Sequence, residues 1–201
     1  MNKYSAVIFD LDGTIVDDEE VWRQAFQNIA DRNGINKKIV PVPGMALNES
    51  WKKNGEIEKY QELAVETREE FMELVEDKEI LDSREGFLKL VAYLKENSYL
   101  VGLATSSYWE VTDLLLGKMG LTGIFDEITT GEEVVCLKPD PEIYRLTCQK
   151  LGVEPEEVIV FEDADAGMEA ATSCGCKVFK IGNSGSGFVE ALKFVMDINT
   201  F

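Results

Sequence analysis

The sequence predicts an α/β fold, a doubly wound parallel sheet with a Rossmann-like core and an inserted all-helical cap. Five short apolar runs alternate with helical patterns, as in proteins whose helices cover both faces of a parallel sheet. The runs are apolar at successive positions, as buried parallel strands are. Residues 17–82 exceed the dozen or more residues that one parallel crossover needs.

The core is predicted to comprise residues 1–16 and 83–201. Its helical patterns commonly stop at a glycine, which readily adopts the left-handed conformation that ends a helix. The predicted strands are Ser5–Phe9, Leu100–Ala104, Glu127–Thr129, Val158–Phe161 and Lys177–Ile181, and the helices are Glu85–Glu96, Trp109–Met119, Pro141–Leu151 and Asp165–Ser173.

The cap, residues 17–82, is predicted to be helical and to determine substrate specificity. It contains two long helical patterns, Glu19–Asn33 and Glu56–Glu79, and a proline-containing loop over Val40–Met45. The acidic run Asp17–Glu20 is expected to be a solvated helix start. Most cap aromatics should fill the space between helices, while Trp22, Met45 and Trp51 are candidates for lining a substrate pocket.

The composition excludes several classes of function. Asp plus Glu number 38 against 20 Lys plus Arg, so the net charge is −18, and there is no histidine. The missing histidine excludes a Ser-His-Asp triad and any histidine-based zinc site. The negative charge argues against nucleic acids and anionic membranes as partners. A substrate that is itself anionic would need a local cation.

The N-terminus does not resemble a signal peptide, and no segment approaches the ~20 apolar residues of a membrane span. We therefore expect a cytoplasmic protein, a monomer or weak dimer, in which most cysteines are reduced core residues. Cys174-Gly-Cys176 is also weighed as a redox or metal pair, but two soft ligands do not complete a zinc site.

Polar residues follow each of the first four predicted strands. Because the carboxyl ends of parallel strands meet at one edge of the sheet, these side chains are expected to converge on one crevice. They lie in the segments Asp10-Leu11-Asp12-Gly13-Thr14, Thr105-Ser106-Ser107, Lys138-Pro139 and Glu162-Asp163.

Four carboxylates cannot share a dry crevice unaided, because like charges raise each other's pKa. A divalent cation would relieve this repulsion, and an all-oxygen set of ligands suits Mg²⁺. Lys138 adds a second positive charge, and the hydroxyls of Thr105 and Ser106 precede a helix whose N-terminus favours a phosphate. The site is therefore predicted to bind a small phosphorylated substrate, either a sugar phosphate or a nucleoside phosphate.

A carboxylate is the natural nucleophile, because histidine is absent and none of these four strand-end segments contains a cysteine. Asp10 would attack phosphorus, and Asp12 would protonate the leaving oxygen and then take a proton from water. Gly13 would let the backbone turn sharply away from the site.

The segments Asp10-Leu11-Asp12-Gly13-Thr14, Leu103-Ala104-Thr105-Ser106, Lys138-Pro139 and Phe161-Glu162-Asp163 resemble the four motifs of the haloacid dehalogenase superfamily. The stretch from Glu162 to Ala171 resembles the branch of β-phosphoglucomutase and the sugar-phosphate phosphatases. The resemblance implies an aspartyl-phosphate on Asp10, acid–base work by Asp12, and phosphate contacts from Thr105, Ser106 and Lys138. It also implies Mg²⁺ held by Asp10, the Asp12 carbonyl and Asp163, with Glu162 at a position that sometimes ligates and sometimes supports the ligands.

Three departures from the branch bear on the reaction. Ala164 stands where serine is usual, Trp22 where the mutase has histidine, and Leu47 near the mutase's phosphate-binding arginine. The missing cations favour a phosphatase over a mutase, and Asp12 argues against dehalogenation. Phosphonate cleavage would need a Schiff-base lysine in the cap, where the sequence has Lys52 and Lys53.

Two further alternatives concern the strand-end motifs. A receiver-like regulatory module that binds or accepts phosphate also has Asp, Thr and Lys at strand ends, although the cap and Asp12-Gly13-Thr14 do not fit it. The glycines at 182, 185 and 187 follow the last strand and are interpreted as a surface loop rather than a nucleotide loop.

Overall fold

A computed structural model describes residues 3–55, 58–77, 81–182 and 187–198. Its sheet has five strands, all paired in parallel. They are β1 Ala6–Phe9, β2 Leu100–Ala104, β3 Glu127–Thr129, β4 Val158–Glu162 and β5 Lys177–Lys180. The spatial order β3-β2-β1-β4-β5 places the first strand at the centre.

Three helices separate β1 from the rest of the core: α1 Glu19–Arg32, α2 Leu47–Lys53 and α3 Tyr60–Glu76. The core then continues with helices that alternate with the strands. They are α4 Phe87–Glu96, α5 Trp109–Lys118, α6 Glu142–Leu151, α7 Asp165–Cys174 and α8 Gly187–Ile198. The predicted class, a parallel α/β sheet with an inserted helical cap, is thereby confirmed.

The central strand is buried on both faces, and this fixes where its carboxyl end lies. Val7 and Phe9 belong to the apolar cluster on one face, and Ala6 and Ile8 belong to the cluster on the other. The ring of Phe9 stacks on that of Phe161, with centroids 5.2 Å apart. All four β1 side chains are fully buried, so the following residues emerge from a rigid base.

The cap has an apolar core of its own, formed by buried residues of α1, α2, α3 and the loop after α1. Trp51 is its largest member and is completely buried. Its indole Nε1 donates a hydrogen bond to Thr67 Oγ1 at 3.0 Å. The expectation that Trp51 could line a pocket is therefore wrong, because its side chain is used to hold the cap helices together.

Two helices were not predicted. Helix α2 has only seven residues, too short for a clear helical period, and α8 begins at the last of the three glycines assigned to a loop. Residues 183–186 of that loop lie outside the described ranges, as do residues 56–57 and 78–79 of the predicted second cap helix. The edge strand β5 is less buried than predicted, with Lys177 and Lys180 exposed.

None of the helices in the described part of the chain combines the length and the apolar character that a bilayer crossing needs.

Candidate active site

A buried lysine joins the ends of three strands. Lys138 Nζ donates to Asp10 Oδ1 at 2.5 Å, to Glu162 Oε1 at 2.7 Å and to the Ala104 carbonyl oxygen at 3.1 Å. Asp10 follows β1, Ala104 ends β2 and Glu162 ends β4. The side chains of Lys138 and Glu162 are each only 1% exposed, so this ion-pair group is shielded from water.

The charges of this group determine one another's ionisation. Burial lowers the pKa of Lys138, but the charges of Asp10 and Glu162 outweigh it and hold that pKa well above its ordinary value. Burial, followed by the charge of Glu162, raises the pKa of Asp10, while Lys138 opposes the rise. Lys138 therefore stays cationic, and Asp10 gains from any further positive charge placed beside it.

Glu162 has little capacity left for another partner. Its Oε1 accepts from Lys138 and from the Tyr144 hydroxyl at 3.0 Å, and its Oε2 accepts from the Ala164 N–H at 3.0 Å. These bonds indicate that Glu162 positions Lys138 rather than ligating a metal directly. The sequence analysis missed Tyr144, which lies on α6. Its position on the apolar side of a helix gives no sign that its hydroxyl donates to a carboxylate at the end of a strand.

Asp163 faces the same crevice from the loop after β4. Thr14 Oγ1 donates to Asp163 Oδ1 at 2.8 Å. Gly13 has φ +78°, and a Cβ there would lie 2.4 Å from Asp163 Oδ2. The glycine therefore provides both the left-handed turn and the space that the carboxylate occupies.

The donor set fits a hard divalent cation. Asp10, Glu162 and Asp163 each offer a carboxylate oxygen, and these oxygens lie within 4.8 Å of one another. Burial, followed by the charge of Glu162, raises the pKa of Asp163, as burial does for Asp10. Carboxylates held together against their repulsion are suitable ligands for Mg²⁺. Because both carboxylate oxygens of Glu162 already accept hydrogen bonds, Asp10 and Asp163 are the better candidates to hold it.

The carboxylate of Asp12 is oriented by both the core and the cap. It accepts hydrogen bonds from Thr105 Oγ1 at 3.0 Å and Ser107 Oγ at 2.8 Å on the core side. Trp22 Nε1, on α1 of the cap, donates to its other oxygen at 3.1 Å. Thr105, predicted to contact phosphate, here contacts Asp12.

Asp18 is a buried acid that the sequence analysis placed in a solvated helix start, and for this residue the expectation is wrong. It is 1% exposed, and it accepts from Gly13 N–H at 3.2 Å and from Trp22 Nε1 at 3.1 Å. Burial, followed by the charge of Asp12, raises its pKa well above the ordinary value. Asp18 thus supports the turn after β1 and holds the indole that contacts Asp12.

A cavity of about 550 Å³ lies between these strand ends and the cap. Asp10, Asp12, Gly13, Ser106 and Asp163 form its core side. The buried Ser106 Oγ has no hydrogen-bond partner among the described residues, so it is available to a ligand. On the cap side, the lining includes two of the three predicted residues, Trp22 and Met45, together with Leu47.

The cap also brings a cation to the cavity that the sequence analysis did not single out. Arg68, on α3, lines the cavity, and its buried Nε lacks a hydrogen-bond partner within the described ranges. Its guanidinium carbon lies 4.9 Å from the centroid of the Tyr108 ring, and Nε lies 3.8 Å from Glu110 Oε2. Charged residues at regular helical spacing are common on α3, so nothing in the sequence distinguished this one.

The first prediction tests whether Glu162 must keep its place. A Cβ at Gly167, on α7, would lie 1.6 Å from Glu162 Oε1, so Gly167→Ala should displace the carboxylate from Lys138. We expect a loss of roughly 3–5 kcal/mol in the free energy of unfolding, because a buried ion-pair group loses a partner.

The control is Gly117→Ala on α5, where a Cβ meets nothing within 4 Å. Alanine is favoured over glycine inside a helix by about 1 kcal/mol, so this variant should be as stable as the parent or more stable. Urea unfolding of both variants measures the difference. Equal stabilities would contradict the structural role assigned to Glu162.

Comparisons with known proteins agree with this architecture. The family model described as haloacid dehalogenase-like hydrolase matches residues 7–181. The crystal structure of beta-phosphoglucomutase from Clostridium difficile has a TM-score of 0.82 at 24% identity, over 98% of this chain and 97% of that one. At this identity the likeness concerns the fold alone.

Two curated relatives are named as phosphatases. A phosphorylated carbohydrates phosphatase of Thermotoga maritima is 31% identical over 200 residues, which are 92% of this chain and 90% of that protein. Fructose-1-phosphate phosphatase YqaB of Escherichia coli is 30% identical over 177 residues, 86% of this chain and 94% of that protein. The resemblance read from the four strand-end motifs is therefore confirmed, and this chain belongs to the haloacid dehalogenase-like hydrolase family.

Proposed function

We propose that this protein is a Mg²⁺-dependent phosphatase that hydrolyses a small phosphomonoester, a sugar phosphate, through an aspartyl-phosphate on Asp10. The observation that carries the proposal is the buried contact of Asp10 with Lys138 at the floor of the cavity between the core and the cap. Relatives named for phosphorylated carbohydrates and fructose-1-phosphate support a phosphoric monoester hydrolase and a sugar phosphate as substrate.

The first chemical step would transfer the phosphoryl group to Asp10. A carboxylate oxygen of Asp10 attacks phosphorus, and the bond from phosphorus to the sugar oxygen breaks. Lys138 offsets negative charge on the transferring group, and Ser106 Oγ is free to donate to one of its oxygens. Asp12, as the general acid, gives a proton to the departing sugar oxygen.

The second step would return Asp10 to its starting state. Asp12, now ionised, takes a proton from a water molecule as that water attacks phosphorus and the bond to Asp10 breaks. Thr105, Ser107 and Trp22 hold the Asp12 carboxylate in one orientation for both proton transfers. When bound, Mg²⁺ would supply positive charge that offsets the negative charge of the phosphate and of Asp10 and Asp163.

Two side chains on the cap side of the cavity favour hydrolysis over the mutase alternative. At two positions where the mutase has cationic or titratable groups, this cavity presents the indole of Trp22 and the aliphatic side chain of Leu47. The indole is also committed to Asp12 and Asp18. A sugar-phosphate panel distinguishes the two reactions, since isomerised sugar phosphate without release of inorganic phosphate would contradict hydrolysis.

The prediction for the nucleophile concerns Asp10→Asn. An amide cannot attack phosphorus, so phosphate release should fall by roughly 10⁴- to 10⁶-fold, as it does when other enzymes lose their nucleophile. Glu162 remains to pair with Lys138, so the variant should still fold.

The matched control is Asp113→Asn, an exposed acid on α5, which should keep full activity. Phosphate release is measured on sugar phosphates with Mg²⁺ present. Unimpaired turnover by folded Asp10→Asn would refute the assignment of Asp10 as the nucleophile. Stable phosphorylation of Asp10 in the parent protein, without turnover, would favour the receiver-like alternative.

The prediction for the metal concerns stability against pH. The pKa values of Asp10 and Asp163 are raised by folding, so without Mg²⁺ the folded state binds more protons than the unfolded state. The protonated forms of Asp10 and Asp163 therefore favour folding in acid. This stabilisation is lost as the pH rises from the ordinary carboxyl pKa of about 4 through the raised pKa values of the folded state. At pH 7, Mg²⁺ at about 100 times its Kd should add about 2.7 kcal/mol, or about 5–10 °C in Tm, and the gain should shrink in acid.

Thermal unfolding with and without Mg²⁺ measures this effect. Asp163→Asn should lose most of the Mg²⁺-dependent increase in Tm, while Asp165→Asn, whose side chain is 91% exposed, should keep it. An increase that survives in Asp163→Asn would show that the cation binds elsewhere.

The prediction for substrate binding concerns Arg68→Gln. Arg68 lines the cavity and its Nε has no hydrogen-bond partner among the described residues, so we expect its guanidinium group to bind a polar group of the sugar away from phosphorus. Hydrogen bonds to charged groups contribute about 1.5–3 kcal/mol, so KM should rise roughly 10- to 100-fold with kcat nearly unchanged. Lys53→Gln, an exposed cap variant, is the control. An unchanged KM in Arg68→Gln would exclude this contact.

A further inference from the structure

Three cysteines meet at a place remote from the cavity residues. Cys148 lies on α6, Cys174 is the last residue of α7, and Cys176 immediately precedes β5. Their Sγ atoms all lie within 4.8 Å of one another. The sequence analysis considered Cys174 and Cys176 alone, and folding adds the third thiol from a separate helix.

The cluster is buried on one side and open on the other. Cys148 is 2% exposed and Cys176 is 8% exposed, and both belong to the apolar cluster between the sheet and α6 and α7. Cys174 is partly exposed and gives access from solvent. All three are free thiols.

The ligand set selects for one class of cation. The group formed by the described residues contains no carboxylate and no fourth cysteine, and the chain has no histidine. Structural zinc sites almost always take four ligands, so three thiols do not complete one. Thiolates favour soft cations such as Cu(I), while Mg²⁺ and other hard cations prefer oxygen.

We propose that Cys148, Cys174 and Cys176 form a binding site for a soft, thiophilic cation of the Cu(I) class, held by three thiolates. Each thiol loses its proton to solvent as its sulfur bonds to the cation, and the oxidation state of the metal does not change. The site would join α6, the end of α7 and β5. Because a bound cation stabilises only the folded arrangement, it should raise Tm.

The experiment titrates the reduced, full-length protein with Cu(I) under anaerobic conditions, against a coloured Cu(I) chelator that competes for the metal. We expect one tightly bound equivalent per chain, a higher Tm, and no competition from excess Mg²⁺. Loss of an outer-shell partner costs roughly 10–100-fold in metal affinity, so Cys174→Ser, which removes a direct ligand, should weaken binding by about 100-fold or more. Cys136→Ser, which changes the exposed fourth cysteine, is the matched control and should bind normally.

Two results would overturn the proposal. One is folded Cys174→Ser, with an unaltered circular dichroism spectrum, binding Cu(I) as tightly as the parent. The other needs no variant: X-ray absorption of the loaded wild-type protein must show three sulfur neighbours, and a shell of two sulfurs or of oxygen and nitrogen would exclude the site.

Discussion

The contact of Lys138 with Asp10 and Glu162 is the constraint on which the rest of the site depends. An ammonium group this deeply buried is tolerated only when it is paired and hydrogen-bonded, and each of its partners comes from the end of a different strand. Breaking a buried pair costs roughly 3–5 kcal/mol, so the arrangement can persist only while β1, β2 and β4 keep their register. The geometry of the site and the stability of the core therefore depend on the same buried contacts.

Small residues make this density of charge possible. Gly13 and Gly167 leave the volumes that Asp163 and Glu162 occupy, since a methyl group at either position would overlap a carboxylate oxygen. The carboxylates thus approach the backbone closely enough to reach their partners while the phenylalanine rings of the sheet remain packed below them. Gly13 was interpreted from the sequence as a turn residue only, but it also leaves space for a carboxylate, as Gly167 does inside α7.

The strand-end rule explains which parts of the site were predictable. Asp10, Lys138, Glu162 and Asp163 follow strands whose apolar runs are plain in the sequence, and parallel pairing then brings them to one edge. The residues that were missed contact partners far away in the chain. Tyr144 donates a hydrogen bond to Glu162, and Cys148 lies beside Cys174. Asp18 was misjudged because charge at a helix start is normally solvated, and only packing of α1 against the turn after β1 buries it. Local pattern determines the elements, whereas contacts across the fold decide what each polar side chain does.

The site also explains how a chain of net charge −18 can attract an anion. Long-range charge is screened over about 8 Å at physiological salt, so the groups lining the cavity outweigh those on the outer surface. Lys138 beneath the floor and Arg68 on the wall supply positive charge within that range, and a cation beside Asp10 and Asp163 would convert the strongest local repulsion into attraction. The acids that make the crevice unfavourable for phosphate are the same acids that would hold the proposed cation. On the proposed function, metal binding would therefore precede substrate binding, because a phosphate meets the repulsion of these carboxylates until a cation offsets it.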